Sequence, residues 1–189
     1  MSGGLLIVIS GPSGVGKDTV IRRLLEMDPN LVYSVSGTTR PPRAGEKPDE
    51  NYTFLSRDEF ERRAREGAFL EHASYNGNLY GTFRERVERA RGAGRDVVLK
   101  IDVQGAEQVR RLVPDAVSVF VVAPSEAELE RRRVERGSES QSDLESRRRI
   151  AAQEMTQAAH YDHVVTNDDV ERAARAIEDV IRAARERHT

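Results

Sequence analysis

Cysteine is absent from the 189 residues, which excludes a disulfide framework and thiol chemistry. No apolar stretch approaches the roughly 20 residues that a membrane-crossing helix needs. The opening residues, Met1-Ser2-Gly3-Gly4, run directly into an apolar segment, without the charged and long apolar regions of a secretory signal. These absences predict a cytoplasmic protein with no membrane partner. A basic excess is missing as well: 30 basic against 32 acidic side chains leave a net charge of −2, which argues against a dedicated nucleic-acid binder. Lysine is scarce, with Lys17, Lys47 and Lys100 standing beside 27 arginines. A lysine kept where arginine is the default base draws attention to its position. Internal repeats and low-complexity segments are lacking, and the length fits one domain with room for a mobile subdomain.

What is present is densest near the start. Leu5-Leu6-Ile7-Val8-Ile9 reads as a buried strand. Gly11-Pro12-Ser13-Gly14-Val15-Gly16-Lys17-Asp18-Thr19 reads as a glycine-rich turn, followed by a helix that ends near Met27-Asp28-Pro29. Strand, turn and helix N-terminus together make a phosphate cradle, because glycines let backbone N–H groups converge and the helix dipole adds positive potential there. Lys17 would reach the outer phosphates of a nucleoside triphosphate. The plain alternative is a tight strand–helix connection with no ligand, and the flanking strand and amphipathic helix weigh against it. One residue is off pattern: the signature ends Gly-Lys-Ser/Thr, whereas here Asp18 follows Lys17 and Thr19 comes one step later. The position after the lysine normally faces phosphate-bound Mg2+ with a neutral hydroxyl, which makes Thr19 and Asp18 the metal candidates. Otherwise Asp18 only complements the helix N-terminus, an effect of about 0.3–1 kcal/mol.

Further along, residues 31–36 alternate like a strand, residues 37–51 read as a polar connector, and residues 52–55 as a short strand. Ser56-Arg57-Asp58-Glu59 fits a capping box for a helix reaching Glu66. Residues 68–75 form another expected strand, closed by the turn signal Asn76-Gly77 and followed by a helix over residues 83–91. Residues 97–101 and 117–122 read as core strands, with a helix over residues 105–112 between them. A second capping-box match at Ser125 opens a charged helix, broken at residues 137–141 and restarted at 142–145. A short strand at residues 163–166 and a terminal helix from about Asp168 complete the pattern. Core strands separated by helices predict an α/β fold with a parallel sheet and right-handed crossovers.

A second stretch, Ser34-Val35-Ser36-Gly37-Thr38-Thr39-Arg40-Pro41-Pro42-Arg43-Ala44-Gly45-Glu46, taken with the loop, resembles guanylate kinases, which phosphorylate GMP with ATP. The resemblance continues through Tyr52, Phe69-Leu70-Glu71, Gly77-Asn78-Leu79-Tyr80-Gly81-Thr82, Ile101-Asp102-Val103-Gln104-Gly105 and Val165-Thr166-Asn167-Asp168-Asp169, spanning nearly the whole chain. It implies a three-layer P-loop fold with a core of residues 1–33, 93–124 and 160–189. A small mixed α/β GMP-binding subdomain would occupy about 34–92 and a helical lid about 125–159. The same resemblance assigns Arg40, Arg43, Tyr52 and Tyr80 to the acceptor phosphate. Guanidinium forks and phenol donors suit its oxygens. Glu71 resembles the guanine reader, a carboxylate able to accept from both N1–H and the N2 amine, with Ser36, Thr82 and Asp102 completing the pocket. Asp102 also has an independent case, as an acid at the carboxyl end of a core strand.

By the same resemblance Arg132, Arg136 and Arg148 are the lid arginines that meet ATP, although most charges in those helices are explained by ion pairs such as Glu128 with Arg132. Asn167 resembles a residue placed near the adenine and is equally readable as the last helix's N-cap. Lys100 stands where an acidic or apolar residue is expected and either touches the active-site rim or snorkels from the sheet. His72, His160 and His163 have no metal-binding spacing. The ligands implied are ATP, Mg2+ and GMP or dGMP, bound to a monomer or homo-oligomer acting in purine nucleotide metabolism. The acceptor phosphate is already largely ionised, with a second pKa near ~6, so in-line transfer requires alignment and charge neutralisation but no general base. Two other readings share the loop. A ribosyl bisphosphate phosphokinase would lack the guanine-reading set, and a non-catalytic guanylate-kinase-like module would have a degraded loop. The specificity loop of GTPase switches is absent.

Overall fold

A computed structural model describes residues 3–135 and 153–188 of the chain. The core sheet joins β1 (Leu6–Ser10), β2 (Leu31–Tyr33), β7 (Asp96–Lys100), β8 (Val117–Val122) and β9 (His163–Thr166), in the order β2-β7-β1-β8-β9. It is a parallel sheet. β1 is buried at every residue, the pattern of a strand covered on both faces, and its uninterrupted apolar run is what such a strand requires. The second sheet has β3 (Gly37–Thr38), β4 (Thr53–Phe54), β5 (Phe69–Tyr75) and β6 (Asn78–Phe83), in the order β4-β3-β6-β5. The helices are α1 (Lys17–Met27), α2 (Arg57–Arg65), α3 (Arg84–Gly92), α4 (Val103–Leu112), α5 (Glu126–Glu135) and α6 (Val170–His188). None among the described residues is long and apolar enough to cross a membrane.

The chain divides into two compact units, Met1–Ile7 with Asn30–Ala116, and Val8–Pro29 with Val117–Thr189. In the first unit, β5 and β6 form an antiparallel hairpin across Asn76 and Gly77, whose φ angles of 48° and 76° are those of a type I′ turn. Phe60 of α2 packs with Phe69 and Phe83 of that hairpin, supported by Leu55, Ala64 and Leu79. Ser56 caps α2 by accepting from the Glu59 amide at 3.2 Å, as the capping box predicts. Asp96 opens β7 as a buried carboxylate, accepting from the Leu5 amide at 2.7 Å and from Asn30 at 3.3 Å.

Two expectations are corrected here. Residues 31–36 are not one strand. Ser34 still donates to Val98 O at 3.0 Å, but Ser36 O accepts from Thr53 at 2.9 Å, so the chain changes sheets between them. Alternation continues through the switch and so conceals it. Residues 78–83, unassigned between the Asn76-Gly77 turn and the helix expected from about Phe83, form β6. A Cβ on Gly81 would stand 2.9 Å from the Phe69 ring, so the residue that weakens the strand pattern is required by aromatic packing behind it.

In the second unit, α6 buries Ala173, Ala174, Ile177, Ile181 and Ala184, a helical stripe along one face. Within the same unit Arg23 of α1 pairs with Glu171 at 2.6 Å, and Arg185 with Asp28 at 2.5 Å. Asp169 accepts from the Arg172 amide at 3.0 Å and so caps α6, which begins at Val170. The break and restart expected at residues 137–145 lie outside the described residues.

Candidate active site

The second unit carries the phosphate loop. Gly16 is the N-cap of α1 and has φ +94°, a conformation that side chains strain against. A Cβ there would also come within 2.6 Å of Asn167 Nδ2. That amide is spoken for, since Asn167 is 3% exposed and donates to Val15 O at 2.8 Å. Asn167 therefore braces the loop from behind, and the reading of it as the helix cap gives way to Asp169. Arg132 of α5 reaches the same backbone, donating to Asn167 O at 3.1 Å and Val15 O at 3.4 Å while Glu128 holds its Nε at 2.7 Å. Hydrogen bonds from Arg131 and Arg132 pull the Glu128 carboxyl down to about 2. Lys17 Nζ donates to Gly11 O and, at 3.1 Å, to Pro12 O, so the ammonium lies against the loop.

A cavity of about 310 Å3 opens beside the loop, lined by Gly14, Gly16, Thr19, Arg132, Asn167, Asp168 and Val170. Thr19 is on its wall. Asp18, next to Lys17, is exposed and is not among the lining residues. The oxygen that such a loop itself offers a phosphate-bound Mg2+ is a hydroxyl, and Thr19, on the cavity wall, fits that requirement better than the Asp18 carboxylate does.

The first unit gathers the other candidates. Glu71 projects from β5 at a bulge, where the register with β6 shifts between Phe69 and Glu71. It is 4% exposed, and its Oε1 accepts from the Thr82 hydroxyl at 2.6 Å. Burial, reinforced by the charge of Asp102 and only partly offset by Thr82, pushes the Glu71 carboxyl up to about 7. Asp102 caps α4, its Oδ1 accepting from the Gly105 amide at 2.8 Å. Ser36 is buried where the chain passes from β2 to β3. Arg40 lies 5.4 Å from the Tyr52 ring, and Tyr52 meets Tyr80 edge-on with centroids 5.9 Å apart. Arg43 is on the exposed loop after it.

Comparison with known proteins decides the family. The guanylate kinase family model matches residues 4–184. The chain belongs to the guanylate kinase family. A guanylate kinase from Rubrobacter xylanophilus is 50% identical over 182 residues, covering 96% of this chain and 95% of its own. One from Trichormus variabilis is 48% identical, covering 94% and 89%. The crystal structure of guanylate kinase from Anaplasma phagocytophilum superposes with a TM-score of 0.81 at 39% identity, over 96% of this chain and 86% of that one. As a guanylate kinase the chain is a nucleotide-binding transferase with a parallel α/β core.

Two residues of this guanylate kinase chain gain roles that sequence reasoning left unassigned. Glu46 joins the two arginines: its Oε1 holds Arg40 Nη2 at 2.8 Å, and its Oε2 accepts from the Arg43 amide at 2.7 Å. Burial works to raise the Glu46 carboxyl, but these hydrogen bonds outweigh it and hold the group below the ordinary carboxylate range. Its place three residues after Arg43 was the available signal. Lys100, at the carboxyl end of β7, brings Nζ to 5.2 Å from the Tyr52 ring centroid and 5.9 Å from that of Tyr33, which places its ammonium beside two aromatic rings. Arg136 and Arg148 lie outside the described residues.

Proposed function

We propose that the protein transfers the γ-phosphoryl group of ATP to the phosphate of GMP, and of dGMP, by direct in-line displacement in purine nucleotide metabolism. The observation that carries this reading is the buried Glu71 carboxylate, fixed by Thr82, in the same unit as Arg40 and Arg43. A base edge offering two adjacent donors satisfies such a carboxylate, whereas adenine, with an acceptor at N1, turns a lone pair towards one of its oxygens at a large cost. Ser36 and Asp102 complete that pocket, while Arg40, Arg43, Tyr52 and Tyr80 take the acceptor phosphate.

In the transfer, an oxygen of the GMP phosphate forms a bond to the γ-phosphorus of ATP as the bond to the β-bridging oxygen breaks, giving GDP and ADP. The attacking oxygen is already ionised, so no side chain needs to remove a proton. Lys17 and the loop amides hold the donor phosphates, and Thr19 would hold Mg2+, which when bound neutralises charge between the outer phosphates. Arg132, with Arg136 and Arg148 of the lid at about 125–159, neutralises the transferred group, and closing the lid keeps water from taking GMP's place. Asn167 contributes from behind the loop, as a brace for Val15.

Steady-state assays of purified protein with ATP, Mg2+ and GMP, dGMP or AMP test the proposal. Turnover of GMP and dGMP with AMP lower by at least about three orders of magnitude is expected. Absence of GMP turnover sinks the reading. Binding of GMP without turnover would favour the non-catalytic module instead.

A further inference from the structure

Helix α4 is tied to the open edge of β5 by two glutamines. Gln108 donates to His72 O at 2.8 Å and accepts from His72 N at 3.3 Å, and Gln104 donates to Ser74 O at 3.1 Å. They stand four residues apart, on one face of the helix, and serve β5 where no neighbouring strand does. The ties fix how closely the helix approaches the strand. Between these ties and the Asp102 cap stands Gly105, in the first turn of α4 and buried. A Cβ built there would lie 3.0 Å from Glu71 Cδ, nearer still to Oε2, and 3.4 Å from Ile101 Cβ. Glu71 cannot yield without loss, because Thr82 holds its other oxygen at 2.6 Å. The helix cannot yield either without releasing Gln104 and Gln108. Glycine is a poor helix former, so its presence at this position calls for a reason, and the carboxylate supplies one.

We infer that Gly105 is a positioning residue for base specificity: its missing side chain reserves the space in which the Glu71 carboxylate stands to read the base. This rests on the assignment of Glu71 to guanine made above. Gly105 acts only through Glu71. Its own amide is already taken by Asp102, and nothing in the inference requires Gly105 to touch the nucleotide.

The test compares the wild type with Gly105→Ala, Glu71→Ala and the double variant, each assayed with GMP and with IMP, which lacks the N2 amine. In Gly105→Ala the GMP-over-IMP ratio of kcat/KM is expected to fall at least about tenfold, mainly through KM for GMP, with KM for ATP within about twofold of wild type. In the Glu71→Ala background, adding Gly105→Ala should leave the ratio unchanged within about twofold, as a residue acting through Glu71 requires. An unchanged ratio in the single variant overturns the inference, and so does an equal fall in both backgrounds. Should the single variant fail to fold, the double variant must fold, because removing the carboxylate vacates the space; failure of both overturns it too. A wild type without GMP turnover would instead sink the assignment of Glu71 itself.

Discussion

Around the phosphate loop the structural work is done by main-chain atoms, whereas around Glu71 and Arg40 it is done by side chains. Val15 O receives both Asn167 and Arg132, and Gly11 O and Pro12 O receive Lys17. In the other unit, Thr82 fixes Glu71, Glu46 fixes Arg40, and Asp102 caps the helix that Glu71 leans on. A main-chain site is written in nine consecutive residues, because glycine placement and a helix start nearly suffice to build it. A side-chain site has to be assembled from several elements, each bringing its own support. Substitutions should therefore act on donor and acceptor separately.

The largest effect is expected at Lys17. Lys17→Met should lower kcat by about 10³-fold, the order seen when one preorganised cationic or donor group is removed from a transfer site. GMP affinity by calorimetry should stay within about twofold; a parallel loss would break the separation of the two sites. Next comes Glu46. Glu46→Gln removes a charged partner from Arg40 and should raise KM for GMP about 10- to 100-fold, from roughly 1.5–3 kcal/mol of charge-assisted hydrogen bonding. KM for ATP should hold, and a rise there would count against the separation.

The pH response of Glu71 sharpens the contrast. Its carboxyl stands at about 7 in the folded protein against an ordinary 4.5, so between those values the fold binds a proton that the unfolded chain does not. Its contribution to stability is thus greatest at low pH and declines as pH rises through about 7. In the role proposed for Glu71, guanine recognition runs the other way, because it needs the ionised form. KM for GMP should rise up to about tenfold per unit as pH falls below 7, and the excess over Glu71→Gln should isolate this residue, since the phosphate's own titration is common to both proteins. KM for ATP should lack this component. The smallest effect is expected at Asp18, outside the cavity lining. Asp18→Ser should change kcat within about twofold, as at an ordinary surface site, with unaltered Mg2+ dependence. A large loss would make the carboxylate a metal ligand after all.

Legibility in the sequence followed the range of the interactions. β1, the loop and α1 were readable because period and glycine spacing are local, and the Ser56 and Ser125 caps for the same reason; Ser125 accepts from the Glu128 amide at 3.1 Å. β6 escaped because Gly81 answers to the Phe69 ring and not to its own strand. The sheet change between Ser34 and Ser36 escaped because alternation says nothing about which strand lies alongside. Asn167 was expected either near the adenine or as a helix cap, and its partner Val15, 152 residues away, lies beyond any local pattern. Glu46 was visible as a residue and silent as a role until the Arg40 side chain and the Arg43 amide were seen on its two oxygens.

The sequence by itself determined that a glycine-rich turn between a buried strand and a helix begins at Gly11 and that the core is parallel α/β. Those properties follow from period, glycine placement and motif order along the chain. Only the tertiary structure decided that Thr19 and not Asp18 faces the cavity, that Asn167 braces the loop, and that Gly105 leaves room for Glu71. Each of these depends on the direction a side chain takes against a distant backbone, and no local pattern encodes that direction.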